Sequence, residues 1–107
     1  MPLIKVNYDD AVLTLDEVEA LCKASIQIMK DVTGIPETFA YGNVARLNVD
    51  VPPVEVLVEL SANKITDGDA MIKEMRAKLE AWKSKAKFPH KINLGLIPMN
   101  WILEFDV

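Results

Sequence analysis

The chain opens Met1-Pro2-Leu3-Ile4-Lys5-Val6-Asn7, a short apolar run with proline in second place. If Met1 is trimmed, the chain begins with a secondary amine at the head of a strand. An amine in apolar surroundings favours its neutral form and can act as a base near neutral pH. Proline also begins strands for backbone reasons alone, because it has no N–H to give to a ladder. Other chemistries find less support. The one cysteine, Cys22, excludes an internal disulfide and a cysteine metal cluster, and its place in an apolar helical pattern suits core packing. His90, the one histidine, has no Ser, Cys or Asp pattern beside it that would make a hydrolase triad, nor a set of zinc ligands. Glu55 and Glu59 share a strand face, but four residues of strand span roughly 13 Å, too far apart for either glycosidase geometry. The four glycines form neither a phosphate loop nor a dinucleotide fingerprint. No metal and no cofactor is expected.

Charge narrows the partners. A net charge of −4 disfavours nucleic acid and acidic membranes. The local exception is 73–91, where Lys73, Arg76, Lys78, Lys83, Lys85, Lys87 and Lys91 gather seven of the twelve basic side chains. Asp69 with Lys73 and Glu74 with Lys78 stand at i,i+4, so this stretch reads as a solvated helix face. The sequence shows no leader and no long apolar run, which points to the cytoplasm and to no membrane association. At 107 residues with 50% hydrophobic side chains, residues 1–107 suffice for a single domain with its own core.

The elements that would position Pro2 are marked by local signals. Thr14-Leu15-Asp16-Glu17 has the form of a capping box. Leu15, Val18, Leu21, Cys22, Ile26, Met29 and Val32 then recur at spacings of three and four, and Gly34 with Pro36 stops the run. This predicts a helix over 15–33. Residues 37–41 read as strand broken by Gly42, and 44–51 as a second strand on which Arg46 points outward as a candidate anion anchor. Val54, Val56, Val58 and Leu60 define a strand face. Thr66 with Asp69 predicts the start of a second helix, with Ile72, Met75, Leu79, Trp82 and Ala86 as its stripe and Phe88-Pro89 as its end. Residues 91–97 alternate as strand, Pro98 predicts a turn, and 101–107 alternate as a closing strand.

The halves share their punctuation. Pro2 and Pro53 precede strands, Thr14 and Thr66 precede helices, and Pro36 and Pro89 open the next strands, each about fifty residues apart. The expected fold class is α+β: two β-α-β units forming one mixed sheet, with both helices packed on one face. The other face carries Leu3, Lys5, Asn7, Glu55, Leu57 and Glu59. A mixture of that kind predicts partial covering by self-association.

In this plan the chain resembles the tautomerase superfamily, which includes oxalocrotonate tautomerase and macrophage migration inhibitory factor. The resemblance runs over nearly the whole chain and is carried by Met1-Pro2 leading into a strand, the double β-α-β order, the helix exit Thr33-Gly34-Ile35-Pro36, and Pro53 to Leu60 before the second helix. It implies a homotrimer in which a processed N-terminal proline is the general base, moving a proton between carbon and oxygen of a small carboxylate substrate, an α-keto acid or its enol. Pro2 is then the catalytic residue, and Arg46, Asn93 and Tyr41 are the substrate-binding candidates. Asn93, in Lys91-Ile92-Asn93, matches the asparagine of a Tyr-x-Asn pattern whose tyrosine is missing here. Val12 and Tyr41 stand where small family members place arginines, and Ile35 stands where the migration-factor type has a lysine. A second reading stays open: a non-catalytic ferredoxin-like α+β module for oligomerisation or small-ligand binding, which has the same order of elements.

Overall fold

The computed structural model describes residues 2–45 and 53–107. Four strands and two long helices follow in the order β1 (Leu3–Tyr8), α1 (Leu15–Thr33), β2 (Phe39–Val44), β3 (Val54–Ser61), α2 (Gly68–Ala86) and β4 (Ile92–Met99). The sheet order is β2-β1-β3-β4. β1 runs parallel to β2 and antiparallel to β3, and β3 runs parallel to β4. Each β-α-β unit therefore pairs its own two strands side by side, and the units meet through the central antiparallel pair. A ferredoxin-like sheet splits each unit by inserting a strand between its two strands. The observed adjacency overturns the ferredoxin-like topology.

Alternation decides which face is covered. Ile4, Val6 and Tyr8 from β1 and Val54, Val56, Val58 and Leu60 from β3 are buried beneath the helices. The helices contribute Val18, Leu21 and Met29 from α1 and Met75 and Leu79 from α2. Each such side chain, moved from water to the interior, stabilises the fold by roughly 1.5–3 kcal/mol before ordering costs.

α1 begins and ends where its local signals put it. The Thr14 hydroxyl accepts from the Glu17 N–H at 3.1 Å, and Glu17 Oε1 accepts from the Thr14 N–H at 2.8 Å. Leu13 and Val18, on either side of this box, are both buried, as a hydrophobic staple requires. At the other end Gly34 adopts φ 71° and donates to the Lys30 carbonyl, a left-handed cap that glycine enters without a Cβ penalty.

Five expectations change. β2 runs through Gly42 instead of breaking there, because β1 offers a continuous ladder in which Val6 faces Gly42. The cap of α2 is Asp67, whose carboxylate accepts from the Ala70 N–H at 3.1 Å, rather than Thr66. Ala86 and Leu15 are exposed and lie outside the buried stripes. Pro98 continues β4, facing Leu60, and does not make a turn. β4 has no neighbour on its outer side among the described residues, and an edge strand tolerates a missing N–H. Residues 101–107 alternate in sequence but form no strand, and Ile102, Phe105 and Val107 lie largely in solvent. A strand needs a partner, and the described residues of this chain offer them none. The strand expected over 44–51 lies almost wholly outside the described residues.

Candidate active site on the sheet

Pro2 stands at the head of β1 with its side chain fully buried. Its carbonyl accepts from the Phe39 N–H at 3.2 Å, which ties the start of β1 to the start of β2. The pyrrolidine nitrogen is an amide while Met1 is attached and becomes a basic amine only once that bond is cut.

The sheet face turned away from the helices carries a row of polar groups. Register sets Tyr41 on β2 opposite Lys5 on β1, and Lys5 in turn opposite Leu57 on β3. Lys5 Nζ reaches diagonally to Glu59 Oε2 at 2.9 Å, and Glu59 is the more enclosed partner, its side chain only 13% exposed. The hydrogen bond and the charge of Glu59 hold the Lys5 ammonium above its ordinary pKa, so it stays a cation. Farther along the same face, Asn43 donates to Asn7 Oδ1 at 3.2 Å.

The expected site residues are thus distributed across the sheet. Tyr41 lies about 10 Å along the strand direction from Pro2 and one strand over, about 5 Å. Its side chain is 43% exposed. Asn93 is exposed on β4 and pairs with Glu55, which pairs with Asn7. It is therefore about 16 Å along the strands from Pro2 and two strand spacings, about 10 Å, across. One chain alone does not bring Asn93 to Pro2. Arg46 lies outside the described residues. Sequence reading placed Lys5 and Glu59 on the open face but missed their pairing, which depends on the register between strands some fifty residues apart.

Two other polar groups lie elsewhere. Cys22 is half-buried, and desolvation pushes its thiol above the usual range, which makes it a poor nucleophile. His90 meets Glu17 on the helix side of the molecule. Among the described residues there is no group of His, Cys, Asp and Glu that could hold a metal ion, and no helix long and apolar enough to cross a membrane.

No family model matches the sequence, and no curated protein does. Solved structures do match in fold. A fused 4-OT wild-type asymmetric trimer is similar with a TM-score of 0.68 at 13% identity, covering 94% of this chain and 91% of that one. Malonate semialdehyde decarboxylase gives a TM-score of 0.68 at 13% identity over 98% of this chain and 92% of its own. A macrophage migration inhibitory factor-like protein from Entamoeba histolytica gives 0.67 at 14% identity over 96% and 95%. All three are tautomerase superfamily structures, and at this identity the likeness concerns the fold. With its paired β-α-β units, central antiparallel strands and single helical face, the chain has the fold of the tautomerase superfamily.

Proposed function

We propose that this chain is a keto-enol tautomerase acting on a small α-keto acid or its enol, with Pro2 as general base after removal of Met1. The observation that carries the reading is the complete burial of Pro2 at the head of β1 in a sheet of this fold. Apolar surroundings penalise an ammonium and keep a secondary amine neutral and proton-accepting. In the reaction the amine takes a proton from the carbon next to the carbonyl. The C–H electron pair moves into the new C=C bond, and the carbonyl pair moves onto oxygen. The pyrrolidinium then returns its proton to that oxygen, so no co-reactant is needed.

A substrate carboxylate and a developing enolate both call for donors. Arg46, Tyr41 and Asn93 are the proposed substrate-binding groups. Because Asn93 is remote from Pro2 within one chain, the proposal includes a homotrimer in which a neighbouring copy supplies it. Two features support self-association. The open sheet face mixes Leu3, Phe39 and Leu57 with the Lys5–Glu59 pair, and the closing residues expose Ile102, Phe105 and Val107. Two structural neighbours are themselves named as fused 4-OT trimers.

The test is an ultraviolet assay of phenylpyruvate ketonisation on protein whose intact mass shows that Met1 is gone, with sedimentation equilibrium on the same sample. Pro2→Ala is expected to lower the rate at least a hundredfold while leaving the assembly intact. Equal rates for the two proteins, or no rate above buffer, would overturn Pro2 catalysis and leave a binding module of the same fold.

A further inference from the structure

The basic stretch 73–91 has no role in the chemistry proposed for Pro2, yet the fold gathers part of it around a groove. The groove lies between α2 and the edge strand β4 and encloses about 600 Å³. That volume suits a small organic ligand rather than a single ion. Lys73, Arg76, Lys83 and Lys91 line it, with Glu80 as the one carboxylate. Glu80 is already engaged, accepting from Arg76 Nε at 2.9 Å. Lys73, Lys83 and Lys91 have no ion-pair partner among the described residues. The groove is therefore cationic on a chain whose net charge is −4.

Its floor is apolar, formed by Ile72 and Leu79 from the helix and Ile92 and Leu94 from the strand. Ile92 and Leu94 pair with Val54 and Val56 on the helix-covered face, so the groove opens away from the free sheet face.

The cations are not spread evenly. α2 connects two parallel strands and so runs antiparallel to β4. This brings Lys83, near the end of the helix, toward Lys91 at the start of the strand. Lys73 lies toward the other end of α2, about 15 Å along the helix from Lys83, and Arg76, paired with Glu80, lies at mid-helix between them. We infer that the α2–β4 groove binds an elongated anionic ligand: an apolar body over Ile72, Leu79, Ile92 and Leu94, with one acidic group near Lys83 and Lys91 and a second near Lys73 and Arg76.

Dodecanedioate is the probe, with laurate as the mono-anionic control of the same chain length, each measured by isothermal titration and by amide shifts in the full chain. Dodecanedioate is expected to bind once per chain, at least fivefold tighter than laurate, with affected amides in α2 and β4. The double change Lys83→Glu with Lys91→Glu is expected to weaken it at least tenfold. Lys73→Glu, at an exposed position with no ion-pair partner among the described residues, provides a second variant and is expected to bring dodecanedioate down to the affinity of laurate. Absence of saturable binding, equal affinity for the two probes, or full binding by Lys73→Glu would each overturn the inference, whatever the outcome for Pro2.

Discussion

Glu17 Oε2 lies 2.8 Å from His90 Nε2, so one carboxylate both closes the capping box of α1 and holds the loop that leads into β4. The two residues are 73 positions apart in the chain. His90 also packs edge-on to Phe88, with ring centroids 5.2 Å apart, and Phe88 packs against Trp82 at 5.3 Å. The entry to α1 and the exit from α2 are thereby joined across the two repeat units.

This link predicts a pH dependence. Hydrogen bonding from the Thr14 N–H, and then from His90, lowers the Glu17 carboxyl below its usual pKa. A carboxyl that is the stronger acid in the folded state stabilises the fold above the ordinary glutamate pKa of about 4.3. That contribution is lost as pH falls through the lower folded value. Glu17→Gln keeps an oxygen for the Thr14 N–H but removes the charge. Its melting temperature should fall below that of the parent at pH 6, and the deficit should be smaller at pH 3. A deficit of the same size at both pH values would show that the charge of Glu17 contributes nothing.

Gly42 is predicted to be intolerant of a side chain. A Cβ at this position would stand 3.0 Å from Val18 Cγ1 and 3.2 Å from Tyr8 Cε1, both in the buried layer between α1 and the sheet. Gly42→Ala should destabilise the chain by about 1–3 kcal/mol, since a packed β-branched residue and a buried ring have little room to yield. Gly95 offers the contrast. A Cβ there would meet only the Leu57 Cδ2 methyl, at 2.9 Å on the open face, and a flexible side-chain end can move aside. Chemical denaturation of both variants tests the pair. The expectation fails if Gly95→Ala costs as much as Gly42→Ala.

These glycines also show what was readable in the sequence. The bounds of α1 were legible because its start and stop are local, Thr14 with Glu17 and Gly34, while its stripe was legible only in part, since Leu15 is exposed and Ser25 buried. β3 was legible because four alternate aliphatics between punctuation leave no other period. At Gly42 a local rule lost to a tertiary one, the continuous ladder that β1 offers to β2. Thr66 and Asp67 are both capping types, and the choice between adjacent candidates rested on one hydrogen bond to Ala70. Residues 101–107 have strand alternation, but alternation says only what the segment would do beside a partner. The Lys5–Glu59 pair and the gathering of Lys91 with Lys83 depend on register and handedness across the chain, which composition and spacing do not encode. Pro2, by contrast, was legible as a chemical possibility, and its burial depends on the packed sheet.

Ser25 gives the last prediction. It lies on the buried stripe of α1, where the three-and-four spacing elsewhere holds Val18, Leu21 and Met29, and it is only 4% exposed. Its Oγ has no hydrogen-bond partner among the described residues. It borders a void of about 10 Å³ lined by Met29, Val56, Val58 and Met75, among others, which is at the lower limit for a water and offers it few polar contacts. A buried hydroxyl without a partner costs roughly 1–3 kcal/mol relative to one that is bonded. Ser25→Ala removes that cost and loses only one small atom from the packing, and alanine is the better helix former. The variant should be as stable as the parent or more so, by up to about 1 kcal/mol, read as a rise in denaturation midpoint at unchanged slope. Ser25→Val would add bulk and a β-branch at a buried position packed against Met29, Val56 and Met75 and should destabilise. A loss of more than about 1 kcal/mol in Ser25→Ala would mean that the hydroxyl is bonded after all, most simply back to a carbonyl of the preceding turn, as Thr33 is to Met29 at 2.6 Å.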